Sequence, residues 1–261
     1  SFIFKDGKNM IIDERQSQLL QLLETKKFVS YKELSDSLYA SLSTIRRDVI
    51  NMHAKGLLVI VKGGVASIDT TTIESSRSVR ELEHSNAKRK IASLAKDFLF
   101  EGQSVFLDSS TTVCQLAYYF KEFQNITIVT NSLDVAASIS QSTNLNVYLV
   151  GGLITRKTNS TSGLFSSSVI QSFNCDVFFF SCKGLNEYGK ITEASPDTQK
   201  NKYEMIGNAK KKVLLLDNSK LDKTFLFTTC TLKDIDAIVL NEKPDDKYLA
   251  LFKKFNVETI Y

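Results

Sequence analysis

The run Leu42-Ser43-Thr44-Ile45-Arg46-Arg47-Asp48-Val49-Ile50-Asn51-Met52 decides how the rest of the chain is read. Wound as a helix, it places Ile45, Val49 and Met52 at i, i+4 and i+7, which makes one apolar stripe. Thr44, Arg47 and Asn51 then share the opposite side, with Arg46 at the border. Ser43 is expected to cap the helix, its hydroxyl accepting a free backbone N–H of the first turn. One side therefore docks on a small core while the other offers two guanidinium forks, an amide and a hydroxyl. Such groups reach phosphates and the major-groove edges of bases. An ordinary amphipathic helix with a solvated basic face has the same pattern, so the flanking sequence must separate the two.

Upstream, Arg15 to Glu24 carries Leu19, Leu20, Leu22 and Leu23, enough for a short helix with one buried side. Thr25 to Ser30 breaks that pattern, and Ser30 with Glu33 has the form of a capping box opening a helix from Tyr31 to Leu38. A turn over Tyr39-Ala40-Ser41-Leu42 leads into the basic helix, which makes a helix-turn-helix. Gly56 is placed to end that helix in a left-handed cap. Leu57 to Val61, a Gly63-Gly64 turn and Val65-Ala66 then read as a β-hairpin wing, with Lys62 carrying a positive charge at its tip.

The residues Ser41-Leu42-Ser43-Thr44-Ile45-Arg46-Arg47-Asp48, followed by Gly56-Leu57-Leu58 and Gly63-Gly64-Val65-Ala66, resemble the N-terminal winged helix of the DeoR family of bacterial sugar-metabolism repressors. The likeness runs from about Arg15 to Ala66. The family commonly has an Arg/His pair where Val61-Lys62 stands. The resemblance implies double-stranded operator DNA as a partner, with Ser43, Thr44, Arg46, Arg47, Asn51 and Lys62 as its contacts.

Composition bounds the remainder. A chain of 261 residues suits two domains, and 43% hydrophobic with 24% charged residues is ordinary for a globular protein. No apolar run approaches the roughly 20 residues of a membrane helix, and Ser1 to Asn9 lacks the apolar core of a secretory signal. The segment before Met10, native or left by cloning, is set aside. Cys114, Cys175, Cys182 and Cys230 are scattered, and His53 and His84 are the only histidines, so neither a metal site nor a cofactor is expected. Unclustered cysteines fit reduced residues in a cytoplasmic protein. Lys and Arg number 10 against 7 acidic residues through Ser67, and 23 against 22 beyond it. That excess agrees with a DNA reader at the start of the chain but is too small to argue for one unaided.

Ile68 to Ile73 is polar and β-branched and reads as a linker, and Glu74 to Lys90, mixed in charge, as an exposed lead-in helix with a solvated surface. From Ala87 on, short apolar runs alternate with helical stretches. Strands are expected at Val105–Leu107, Ile126–Val129, Val147–Val150, Val177–Phe180, Val213–Leu216 and Ile238–Leu240. Helices are expected at Val113–Phe120, Leu133–Ser140 and up to Ala209. Continuous apolar strands separated by helices imply a mainly parallel sheet covered on both faces. In such sheets ligands bind beyond the carboxyl ends of the strands. Polar clusters sit there: Asp108-Ser109-Ser110-Thr111-Thr112, Thr130-Asn131-Ser132, Gly151-Gly152, Lys183-Gly184 and Asp217 to Lys220. A hydroxyl-rich turn entering a helix suits a phosphate, with neighbouring lysines as counter-charge. Taken alone, the first cluster is better read as a plain N-cap with a polar turn; the convergence of five reverses that and favours a site.

Lys90-Ile91-Ala92, Gly102, Asp108 to Thr112, Thr130-Asn131-Ser132, Gly151-Gly152, Gly163, Lys202 and Asp217-Asn218-Ser219-Lys220 resemble the C-terminal effector domain of the same family, whose fold is similar to that of phosphosugar isomerases. The likeness implies a phosphorylated sugar as effector, with Ser110, Thr111 and Thr112 at the phosphate and Asp108, Asn131, Lys202 and Lys220 lining the rest. Ser109 belongs to the same turn. The family usually has Gly where Ser110 stands. Lys183 is not typical of the family, and its place after a strand makes it either a phosphate contact or a salt-bridged structural lysine.

The expected architecture is thus α/β. A leader over 1–14 precedes a winged helix-turn-helix over 15–68, a linker with its lead-in helix over 69–86, and a sugar-phosphate domain over 87–261. A repressor relieved by a phosphosugar is expected, working as a homo-oligomer (dimer or tetramer) because one reading helix spans only a few base pairs. An activator is not separable from it by sequence. An isomerase is the other class; Asp108 or Glu193 is conceivable as its general base, but nothing in the spacing singles either out, and such an enzyme gains nothing from an Arg-Arg helix.

Overall fold

A computed structural model describes residues 14–26, 28–66, 77–140 and 144–261. The chain divides into two compact units, one up to Leu82 and one from Glu83 to Tyr261. The expected linker over Ile68–Ile73 lies outside the described residues.

In the first unit, helices Glu14–Lys26, Tyr31–Ser37 and Leu42–Ala54 pack Leu19, Leu23, Leu34, Ile45, Val49 and Met52 into one core. Ser30 caps the second helix, accepting the Glu33 N–H at 3.2 Å. Ser41, not Ser43, caps the third, accepting the Thr44 N–H at 3.3 Å. The helix therefore starts two residues earlier than expected, and Ser43 is an exposed first-turn residue whose hydroxyl meets that of Ser41 at 2.9 Å. Gly56 takes φ +68 beyond the helix end.

The wing strands Val59–Val61 and Gly64–Ala66 meet a third strand, Phe28–Ser30, with Gly64–Ala66 paired between the other two, so the segment expected to be a mere break is half of the sheet's support. The two wing glycines do different jobs. Gly63 supplies φ +89 in the turn with Lys62, whereas Gly64 lies in the strand, where a Cβ would come within 2.3 Å of the Val29 carbonyl oxygen. Gly64→Ala is therefore expected to pry Phe28–Ser30 off the wing at a cost of about 1–3 kcal/mol, seen as fast hydrogen exchange at the Val29 and Val65 amides. Gly63→Asn, which tolerates a left-handed backbone, leaves exchange unchanged.

The second unit is built on a seven-stranded sheet, all parallel. Its spatial order is Glu258–Ile260, Ala237–Leu240, Ala209–Leu216, Cys175–Phe180, Ser104–Leu107, Thr127–Thr130, Asn146–Leu149. Alternation along each strand feeds two cores. Phe106, Phe178, Phe180, Leu214 and Leu216 face one side with Ile170, Met205 and Phe252. Val105, Leu107, Val177, Phe179 and Val213 face the other with Ile91, Val113 and Val135. The Phe178 and Phe180 rings stack at 4.9 Å, and Phe106 meets Phe178 edge-on at 6.1 Å. Both faces are covered, as continuous apolar strands require.

From Ser104–Leu107 the chain winds outward on one side through Thr127–Thr130 and Asn146–Leu149. It then returns to Cys175–Phe180 and winds outward on the other side. The topological switch point, where open α/β sheets form their crevice, thus lies between Ser104–Leu107 and Cys175–Phe180. A hairpin, Leu153–Thr155 with Ser160–Ser162, and a small antiparallel sheet of Gly184–Leu185, Lys190–Glu193 and Phe227–Thr231 are additions. Among the described residues, no helix is long and apolar enough to cross a membrane.

The lead-in stretch is two helices, Arg77–Leu82 and Ser85–Ala95, broken at His84 with φ +51. Its expected solvated surface fails at Lys88, which is buried with its ammonium donating to the Glu83 carbonyl at 2.6 Å. A lysine is buried only when its charge is met, and here a backbone carbonyl meets it.

Candidate functional site

The first unit presents one face of the helix Leu42–Ala54. Ser43, Arg46, Arg47 and Asn51 are exposed and Thr44 is half-buried, while Ile45, Val49 and Met52 are sealed beneath. Asp48, which the arginine-rich motif puts beside Arg47, turns inward and pairs with Arg15 Nε at 2.6 Å. Its role is to bolt the reading helix to the first helix. Arg46 lies over the Tyr31 ring, its guanidinium carbon 5.4 Å from the centroid, a cation–π contact that holds the fork extended. Ile50, 60% exposed between the polar groups, is an apolar point suited to a thymine methyl, and sequence periodicity alone does not single it out. Lys62 is exposed at the wing tip. Together these groups offer the mixture of charge, hydrogen-bond donors and one apolar contact that a major groove accepts.

In the second unit the ends of four adjacent strands bring Asp217, Ser181, Asp108 and Asn131 side by side. Ser110 caps the helix Thr111–Leu116, so Thr111 and Thr112 belong to its first turn and the helix begins two residues before the expected Val113. Asp108 organises the turn. One carboxylate oxygen accepts the Ser110 N–H at 2.8 Å and the other accepts the Ser181 N–H at 3.1 Å, across the switch point.

Lys202, on the helix Pro196–Gly207, reaches into this arrangement. Its ammonium lies 3.2 Å from Asp108, donates to the Ser181 carbonyl at 2.6 Å and pairs closely with Glu193. All three charged residues are buried. Burial alone would lower the Lys202 pKa, but the Glu193 and Asp108 carboxylates outweigh it and hold the ammonium well above the usual lysine range. Glu193 and Ser181, absent from the residues expected at the site, are thus structural members of it. Lying 85 and 73 residues from Asp108, they leave no local signal.

Lys220 donates to the Ser181 hydroxyl at 3.0 Å and lies 3.3 Å from Asp217. Burial would raise the Asp217 pKa, but Lys220, the Ser219 hydroxyl, His84 and Lys88 pull it down to about 2. Lys220 keeps a fifth of its side chain in solvent. Lys183 is half-buried, its backbone N–H bonded to the Thr192 carbonyl at 3.0 Å. Burial pushes the Cys182 thiol up to about 12, so it is no nucleophile.

The remaining expected residues are close by but mostly enclosed. Ser109, Thr111, Thr112 and Asn131 are buried and Ser110 is half-buried. The Asn131 amide donates to the Thr161 carbonyl at 3.1 Å, a bond shared with Asn201 at 2.8 Å. The Thr112 hydroxyl is buried without a hydrogen-bond partner. Among the described residues there is no group of three or more His, Cys, Asp or Glu side chains arranged to hold a metal ion.

Comparison with known proteins gives matches along nearly the whole chain. The DeoR-like helix-turn-helix domain matches residues 15–71, and the DeoR C-terminal sensor domain matches residues 83–242. The HTH-type transcriptional regulator IolR of Bacillus subtilis is 32% identical over 84% of this chain and 87% of its own. The transcriptional repressor AccR of Agrobacterium fabrum is 27% identical over 87% and 88%. Among solved structures, ribose 5-phosphate isomerase A of Methanocaldococcus jannaschii aligns over 53% of this chain and 55% of its own, at 15% identity and a TM-score of 0.40.

Proposed function

Because the chain belongs to the DeoR family of DNA-binding transcriptional regulators, we propose that it represses a carbohydrate-utilisation operon and that a phosphorylated sugar, held at the switch point of the parallel sheet, relieves the repression. The observation that carries the effector half is the Thr112 hydroxyl, buried without a partner in the first turn of the helix that follows Asp108, while Lys202 and Lys220 gather at Asp108 and Ser181 on the neighbouring strand ends. A buried hydroxyl is costly to leave unpaired, and a phosphate or sugar oxygen satisfies it. Ser109, Ser110, Thr111 and Asn131 complete the lining, with Lys183 as a further cation.

The enclosure of these residues supplies the switch. A ligand that reaches Thr112 has to displace the Ser109–Thr112 turn, and it competes with Asp217 for Lys220. It therefore prefers a conformation other than the one described, and a ligand shifts an equilibrium only through such a preference. If the displaced conformation fits operator DNA poorly, effector and DNA oppose each other reciprocally. The regulator works as a homo-oligomer, each copy placing one reading helix on one half-site. AccR, a repressor by name, supports the sign of the effect.

Two expected results test this. A thermal-shift panel of aldose and ketose phosphates should find one that stabilises the protein, by about 2.7 kcal/mol at a hundred times its Kd, without turnover; rapid interconversion would instead indicate an isomerase. Lys220→Ala should bind operator normally and ignore that phosphosugar in a gel shift. A normal response from the variant would move the pocket elsewhere.

A further inference from the structure

The sensor unit carries one large apolar surface that neither DNA nor effector uses. Leu164 and Phe165 open the helix Leu164–Gln171 and are 87% and 81% exposed, with Val169 one turn on. Leu153, 73% exposed, and Ile154 lie on the hairpin strand Leu153–Thr155. Tyr148, on the edge strand Asn146–Leu149, packs its ring against Phe173 at 5.3 Å, just past the helix. These elements form one surface, because the Ser166 hydroxyl donates to the Gly151 carbonyl at 2.7 Å and Gly152 presses so close that a Cβ would meet Ser166 Oγ at 2.2 Å.

The same surface is depleted of charge. Asn146 to Thr155 contains no charged residue, nor does Thr158 to Cys175, in a chain where 24% of residues are charged; the exposed Arg156 and Lys157 of the hairpin turn are the charges between them. Loss of charge with exposed aromatic and large aliphatic groups is the composition of an interface core.

We propose that a second copy of this chain docks here, the same patch meeting itself about a two-fold axis. Three observations select a second copy. Two molecules of net charge +4 meet with least repulsion at a face whose charges, Arg156 and Lys157, are confined to the hairpin turn. The six side chains named are enough for the apolar centre of an interface of about 800 Å² per partner. Asn146–Leu149 is the last strand of its sheet, with one side unpaired, and proteins cover such edges. The choice also rests on the reading above that two DNA-binding heads must be paired.

Sedimentation of the full chain at micromolar concentration, without DNA or effector, tests the proposal. The wild type should sediment as a dimer or larger, and Leu164→Glu with Phe165→Glu as a 29.3 kDa monomer with an unchanged melting temperature. Should that variant fail to fold, Leu153→Lys on the hairpin is expected to give the same dissociation. Mixing Leu164→Glu with Leu164→Lys should restore the oligomer. A monomeric wild type, or folded variants that remain associated, would overturn the interface. Folded variants that remain associated leave the DNA-binding reading untouched, and a monomeric wild type removes only the pairing of its heads; DNA binding itself fails separately if the wild type ignores operator DNA.

Discussion

Replacing Arg46 and Arg47 together with alanine is expected to remove specific operator binding while the sensor unit melts at its usual temperature. Both guanidinium groups are exposed on a helix whose other face, Ile45, Val49 and Met52, holds the core, so their loss opens no cavity. A well-formed arginine contact to a base is worth about 1–3 kcal/mol, so two are worth roughly 2–6 kcal/mol, or about 30-fold to 10⁴-fold in Kd. The two should not be equal. Arg46 is held over Tyr31, so Tyr31→Leu should weaken binding through Arg46 alone and leave the effect of Arg47→Ala additive to it. If one arginine serves only phosphate, its removal lowers affinity for all sequences alike and reduces the salt dependence by about one counterion. A gel shift at moderate salt that shows retained specific affinity for the double variant would remove this helix from the DNA.

What could be read from the sequence follows the range of the forces involved. The reading face was legible because helical periodicity is local: Ile45, Val49 and Met52 fall on one side whatever surrounds them. The cap was misassigned because Ser41 and Ser43 are equivalent hydroxyls two residues apart, and only the backbone at Ser41, with ψ 150, distinguishes them. Parallel strands such as the one holding Val177–Phe180 are legible as unbroken apolar runs. Phe28–Ser30 is not, being three residues long and a strand only because Gly64 lets Val29 approach. The sheet Gly184–Leu185, Lys190–Glu193, Phe227–Thr231 was equally unannounced, its strands being short and partly polar. Burial of charge was the least legible feature. Nothing near Lys88 or Lys202 in sequence says that a backbone carbonyl or two distant carboxylates will enclose it. The polar strand ends were legible as a cluster, whereas the pairing of Asp108 with Ser181 and Lys202 depends on the switch point.

That enclosure makes Lys202→Met the most damaging substitution expected in the sensor unit. The side chain keeps its length, so little packing is lost, yet Asp108 and Glu193 are left as buried carboxylates with no cation between them. Removing one partner from a buried ion pair costs about 3–5 kcal/mol, and at about 2–4 °C per kcal/mol for a unit of this size the melting temperature should fall by roughly 10 °C. The pH dependence identifies the cause. In the variant, burial and mutual repulsion disfavour two stranded negative charges with no cation between them, so the folded state gains by taking up a proton there. The folded protein then binds protons more readily than the unfolded chain, so its stability rises as pH falls from 8 toward 5, and the deficit against the wild type narrows. Loss of packing alone would give a deficit independent of pH. Adding Glu193→Leu removes one stranded charge and should recover part of the loss, a coupling that independent sites do not show. An unchanged, pH-independent melt for Lys202→Met would mean that water reaches these carboxylates freely, and the Asp108 turn would then need no displacement to admit a ligand.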